Sequence, residues 1–338
     1  MNLTAILNCL APVLVACLLA ATPVAAQQPS SVNPTASSVK EKQLLDALKP
    51  GGPEILSGRV SIPDSRAGNL IQPAGKDFRV LHQETIPRVG AYVIIGMIGV
   101  LALFFVFRGR IRVEGGQSGR TIERFGSIGR YAHWTAATSF ILLGLTGLNL
   151  VFGRSLLLPL IGPEAFASLT QAGKFVHNYV SFAFAFAIVL MFVMWVKDNL
   201  PRSIDVRWFK QGGGLVGSKH PPADRFNGGQ KLIFWATILG GFALSASGYV
   251  LMFKPPEIDI AGLQLATVVH GLVGVILVAV IIAHVYIGSL GMEGAFSAMG
   301  TGRVDLNWAK EHHSIWVDKV AMKRPEDISG ARSPAPGE

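Results

Sequence analysis

The chain has 338 residues, of which 50% are hydrophobic and only 15% charged, and its mean hydropathy is +0.43. That composition excludes an ordinary soluble domain of this length, because long apolar blocks separated by short polar stretches cannot share one aqueous core. The formal charge of +9 does not indicate nucleic acid: Lys and Arg collect between the apolar blocks, where they orient membrane helices, and no aromatic-basic surface motif accompanies them.

Residues 1–26 read as a signal peptide or a retained anchor. An apolar run ends in Val24-Ala25-Ala26, a small-residue cleavage pattern, but the first ten residues contain no Lys or Arg. Leu14-Val15-Ala16-Cys17 also resembles a lipoprotein box, although the apolar run continues past the cysteine. Both cysteines, Cys9 and Cys17, lie in this block, so the remainder offers no disulfide framework, CxxC pair or cysteine-ligated cluster. Without a CxxCH motif, any haem is held by coordination and packing alone.

Residues 27–87 are rich in Ser, Pro, Gly and Gln and read as an exported, loosely structured segment. Residues 88–108 are expected to form an extra transmembrane helix: Val89 to Phe107 is an uninterrupted apolar run closed by Arg108-Gly109-Arg110-Ile111-Arg112, which places its end in the cytoplasm. Four further spans are expected at approximately 131–152, 174–196, 231–253 and 265–290, each near the length that a hydrocarbon layer of ~30 Å requires. The loops 108–130 and 197–231 are crowded with Arg and Lys, whereas 153–173 and 254–264 carry only Arg154 and Lys254. The expected architecture is an all-α integral membrane protein: a four-helix bundle over 120–295, one extra N-terminal transmembrane helix and a cytoplasmic tail over 296–338. The exported segment is then periplasmic and the membrane a bacterial inner membrane.

Four of the eight histidines, His133, His177, His270 and His284, fall within or at the ends of spans. An intramembrane imidazole is a functional candidate by default, though any one alone can simply hydrogen-bond a neighbouring helix. His270 and His284 are 14 residues apart on one helix, hence ~21 Å apart along its axis and within ~40° of the same face. Span direction sets the depths, pairing His177 with His270 near the periplasm and His133 with His284 near the cytoplasm. Two imidazoles from different helices at matched depth, repeated at two depths, suit two six-coordinate b haems. Zinc or copper needs further ligands, and no Cys, Asp or Glu stands near these histidines in the spans. Gly144, Gly147, Gly271 and Gly274 suit close approach of a porphyrin and plain helix packing equally well. His82, His220, His312 and His313 read as solvated surface residues.

The chain resembles the gamma (cytochrome b) subunit of respiratory formate dehydrogenase in four places. They are Arg130-Tyr131-Ala132-His133-Trp134-Thr135, Phe226-Asn227-Gly228-Gly229-Gln230-Lys231 with Phe234-Trp235, the His270 and His284 pair, and Trp308-Ala309-Lys310-Glu311-His312-His313. The histidine pattern alone is shared with cytochrome b subunits of membrane hydrogenases and thiosulfate reductases. The resemblance implies the same haem pairings, and a menaquinone or ubiquinone site at Asn227, Gly229 and Gln230 beside the cytoplasmic haem. Read from the residues alone, Asn227 before glycine at a helix start is an ordinary cap. The resemblance further implies a molybdenum or tungsten alpha subunit that oxidises formate and an iron–sulfur beta subunit that passes the electrons on. Two alternatives stand beside this reading: a hydrogenase cytochrome b, and a haem-free anchor or assembly subunit.

Overall fold

The computed structural model describes residues 73–215, 220–323 and 328–329. The expected signal or anchor, 1–26, and residues 27–72 of the exported segment lie outside the described residues. Of the described residues, those from Val80 onward belong to one compact unit and 73–79 to another. The end of the stretch expected to be loosely structured is helical. Helix α1 (Pro73–Val80) is followed by a π turn over Leu81–Thr85 and then by α2 (Ile86–Arg108). The Lys, Arg, Gln and Glu of this stretch are good helix formers, and Glu84 and Arg88 stand one turn apart as an exposed pair.

Among the described residues, five helices are long and apolar enough to cross a membrane. They are α2, α3 (Ser127–Leu156), α4 (Leu158–Trp195), α6 (Gly228–Phe253) and α7 (Ile260–Tyr286), the last extended by a π turn over Ile287–Gly291. The short helix α5 (Ser203–Lys210) precedes α6. Helix α4 starts well before the expected position, and the break lies inside it: Gly162 has φ 79° and ψ 167° just before Pro163, which cannot donate to the preceding turn. Much of the apolar surface of the bundle is not covered by protein, as spans facing lipid require, and α2 leaves Tyr92, Ile95, Val100, Leu103, Val106 and Phe107 exposed.

The extra helix α2 packs along α7. A Cβ on Gly90 would stand 3.0 Å from Val275 Cγ1, and one on Gly271 would stand 3.4 Å from Ile86 Cγ2. Small residues thus bring these two backbones close, the usual means of helix association where lipid tails offer no hydrophobic drive. Further along, Phe104 and Phe105 meet Tyr286 edge to ring.

The tail is folded onto the bundle. Strand β1 (Thr121–Glu123) is the centre of a three-stranded sheet, flanked by β2 (Arg303–Asp305) and β3 (Ile328–Ser329), both antiparallel to it. A short helix α8 (Ser297–Gly300) leads into β2, and α9 (Leu306–Lys323) follows it. Gly302, at φ +85°, accepts hydrogen bonds from Arg124 N–H and Phe125 N–H, and an added Cβ would collide with the Phe125 carbonyl. The core runs from Ile122, Val304, Trp308 and Trp316 at this sheet end into Ala136, Phe184, Ile188 and Ile238 between the spans. His312 and His313 on α9 are buried, not solvated, with His313 fully enclosed. His220 is half-buried, its Nε2 3.1 Å from Glu114 Oε1, whereas His82 is exposed as expected.

Candidate functional site: two imidazole pairs

The structure brings the four span histidines together in two pairs. The ring centres of His177 on α4 and His270 on α7 are 6.0 Å apart, and those of His133 on α3 and His284 on α7 are 6.1 Å apart. Two imidazoles bound trans to one metal, with metal–nitrogen bonds of ~2.0–2.1 Å and about 1.1 Å from nitrogen to ring centre, would have centres about 6.3 Å apart. Both pairs are therefore at a spacing that two imidazoles holding one metal between them would need. Among the described residues, no group of three or more His, Cys, Asp or Glu is placed to hold a metal ion, so the pairs are not parts of larger ligand sets.

Local hydrogen bonds fix which nitrogen two of these rings present. The Thr146 hydroxyl donates to Leu142 O at 2.7 Å and lies 2.8 Å from His177 Nδ1. The Ser247 hydroxyl donates to Ala243 O at 2.6 Å and lies 3.0 Å from His270 Nδ1. Each hydroxyl hydrogen being spent on its own helix, the oxygen accepts, so Nδ1 carries the proton and Nε2 keeps its lone pair. That is the tautomer a metal-ligating histidine needs, with its second nitrogen held by a protein group. An added Cβ on Gly147 would lie 3.5 Å from His177 Cε1, and one on Gly248 would lie 3.3 Å from His270 Cε1. These glycines keep the backbone clear of the rings, whereas Gly271 serves the α2–α7 contact. In the other pair, His133 Nδ1 is buried without a hydrogen-bond partner, and the ring stands edge to face against Trp134, whose indole N–H donates to Met299 O.

Asn227, Gly229 and Gln230 begin α6. The Asn227 side-chain oxygen accepts from Gln230 N–H at 2.9 Å, and Gln230 Oε1 accepts from Asn227 N–H at 3.2 Å, a reciprocal capping box. The cap uses both carbonyl oxygens and leaves both side-chain amide N–H groups as donors. Gly229 lies under the Trp208 indole of α5, where an added Cβ would come within 2.9 Å of the ring. Lys231 closes the same corner, buried with Asp205 Oδ2 at 2.8 Å and Leu200 O at 3.0 Å.

Sequence reasoning missed Thr146, Ser247 and Arg124. The two hydroxyls were detectable in principle, since each falls mid-span at the depth of a histidine. Arg124 reads as one more cytoplasmic charge, but it is buried, and burial together with repulsion from Arg225 lowers its pKa to about 9.

Five apolar spans with histidine pairs at two levels define an all-α membrane cytochrome b. The chain belongs to the prokaryotic cytochrome b561 family, whose model matches residues 124–302. It is similar to the nitrate-inducible formate dehydrogenase cytochrome b556(Fdn) subunit of Escherichia coli (strain K12), with 29% identity over 62% of this chain and 97% of that protein. It is also similar to the formate dehydrogenase cytochrome b556(fdo) subunit of that strain, at 31% over 61% of this chain and 98% of the relative. The formate dehydrogenase cytochrome b556 subunit of Haemophilus influenzae matches at 26% over 60% of this chain and 86% of its own length. These relatives bear out the resemblance read from the sequence. The extra helix α2 precedes the stretch that the family model covers.

Proposed function

We propose that this chain is the membrane cytochrome b subunit of a formate dehydrogenase complex, passing electrons from an iron–sulfur partner subunit through two b haems to quinone. The observation that carries the reading is the pair of imidazole pairs, each at axial-ligand spacing and ~21 Å apart along α7. His177 and His270 would hold one haem, and His133 and His284 the other. Haem b, when bound, supplies one-electron transfer between two oxidation states of its iron. The protein's own contribution is to fix the rings, through Thr146 and Ser247, and to hold them among apolar helices that exclude water and ligand exchange.

Orientation follows from charge. The basic loops and the sheet end fall in the cytoplasm and the α3–α4 and α6–α7 connections in the periplasm, so electrons enter at His177 and His270 and leave at His133 and His284. Quinone, a menaquinone or ubiquinone, would be reduced at the cytoplasmic end beside Asn227, Gly229 and Gln230, where the cap's free amide donors suit a quinone carbonyl. Formate oxidation then belongs to a catalytic molybdenum or tungsten partner subunit; the relatives are themselves cytochrome b556 subunits of formate dehydrogenases.

Membranes carrying the complex, supplied with formate or hydrogen in turn, test the reading. Formate is expected to reduce the b haems and then added quinone. Reduction by hydrogen alone would assign the chain to a hydrogenase instead.

A further inference from the structure

Arg124 ends β1 and is only 3% exposed. A buried guanidinium ordinarily keeps a carboxylate beside it, because desolvating an unpaired charge is costly. Here its hydrogen bonds go to neutral groups. With its two hydrogens Nη2 donates to Arg225 O at 2.6 Å and to His313 Nε2 at 3.0 Å, and it lies 3.4 Å from Gln230 Oε1 in a weaker, shared contact, while Nη1 is buried without a hydrogen-bond partner. The guanidinium lies 5.4 Å from the Phe125 ring, 5.6 Å from Trp308 and 5.1 Å from Trp316.

The direction of each bond is fixed. Arginine only donates, so His313 Nε2 accepts, and His313 Nδ1–H donates to Asp224 O at 2.8 Å. Asp224 is in turn held by Arg202 and Lys319, at 2.9 and 2.6 Å. At the far end, Gln230 Oε1 takes both Arg124 and the Asn227 N–H, which turns the amide nitrogen of Gln230 the other way. The chain Asp224–His313–Arg124–Gln230 thus joins the C-terminal helix α9 to the first turn of α6.

We propose that Arg124, oriented by His313, is a positioning residue of the quinone site: it holds the carbonyl end of Gln230 so that the amide N–H donors face a quinone carbonyl. The inference rests on the quinone reading of Gln230 given above. No bond is made or broken at Arg124. Because no carboxylate among the described residues pairs with it, its charge also favours negative charge gathering on a nearby quinone oxygen as electrons arrive.

The test uses the full complex with Arg124→Gln, Arg124→Lys, Gln230→Ala and the Arg124→Gln/Gln230→Ala double variant. A short-chain quinone is the acceptor, decylubiquinone or a short-chain menaquinone, whichever the parent protein reduces faster. Arg124→Gln is expected to raise the quinone KM about tenfold, the scale of one charge-assisted hydrogen bond. Haem content and the rate of haem reduction by formate stay unchanged, and Arg124→Lys recovers part of the KM. The double variant is expected to be no worse than Gln230→Ala alone, because Arg124 acts through that side chain. If Arg124→Gln does not assemble, His313→Leu against His313→Gln, which keeps an acceptor, should reproduce the same contrast. Additive effects, or a KM unmoved by Arg124→Gln while Gln230→Ala raises it, would overturn the inference and leave the quinone reading standing. A KM indifferent to Gln230→Ala would overturn both.

Discussion

Thr146 and Ser247 each spend their hydroxyl hydrogen on a backbone carbonyl of their own helix, and so can only accept from the histidine beside them. Replacing either by an isosteric apolar residue, Thr146→Val or Ser247→Ala, frees the ring to turn and removes electron donation through Nδ1. Both variants are expected to leave the haem count of the parent protein unchanged but to shift the midpoint potential of the haem proposed at His177 and His270 and weaken its retention, on the order of 10–100-fold. Redox titration with a haem-loss assay measures both, and an unchanged potential would detach the hydroxyls from the site. The pairing makes a second prediction. His177→Ala and His270→Ala should remove the same spectral component, and His133→Ala and His284→Ala the other. The four histidines were legible in the sequence because a 14-residue spacing on an apolar helix leaves few ways to pair them. The hydroxyls were not, because a mid-span Ser or Thr usually only bonds back to its own helix, as Thr138 does to Trp134 O.

At the scale of elements, the extra helix α2 is seated on the helix that carries both His270 and His284. Gly90→Leu should push it from Val275 and Phe152 at a cost of about 1–3 kcal/mol, read as a lower unfolding temperature in detergent. An unaffected temperature would mean that α2 contributes little to the bundle. The apolar runs revealed the spans but blurred their ends, since Gly162 and the turn around it are as apolar as the helix they interrupt. The tail was not legible at all. Its strand β2 pairs with β1, far back in the chain between α2 and α3, and neither three-residue strand carries enough pattern to announce a partner. That is why His312 and His313 looked solvated.

Burial on α9 also makes the tail sensitive to acid. The His312 pKa falls from the ordinary 6.5 to about 4, first because burial disfavours the charged ring and then through repulsion from His220 and Arg124; His313 is lowered in the same way by burial and Arg124. A histidine whose folded pKa is depressed binds protons more readily when unfolded. Its contribution is therefore full above about 6.5 and is lost as pH falls from 6.5 towards 4. Limited proteolysis across that range should show α9 released on acidification, with His312→Gln flattening the profile. A profile equally steep in His312→Gln would assign the sensitivity elsewhere.

In the whole molecule, five spans arrange two histidine pairs along one axis, and the folded tail ties the first turn of α6 to the sheet end. The architecture was legible from hydropathy and loop charge, because the bilayer admits few solutions for such a chain. Contacts at the α6 start were not, since a cap and a ligand site draw on the same residue types, and Asn227 and Gln230 serve as a cap by geometry. Each histidine pair is proposed to hold its own haem. That proposal is tested most directly by the haem content of the purified full-length chain, determined by pyridine haemochrome together with an optical redox titration. Two b haems per polypeptide with two separable potentials are predicted. One haem, or none after haem supplementation, would contradict it.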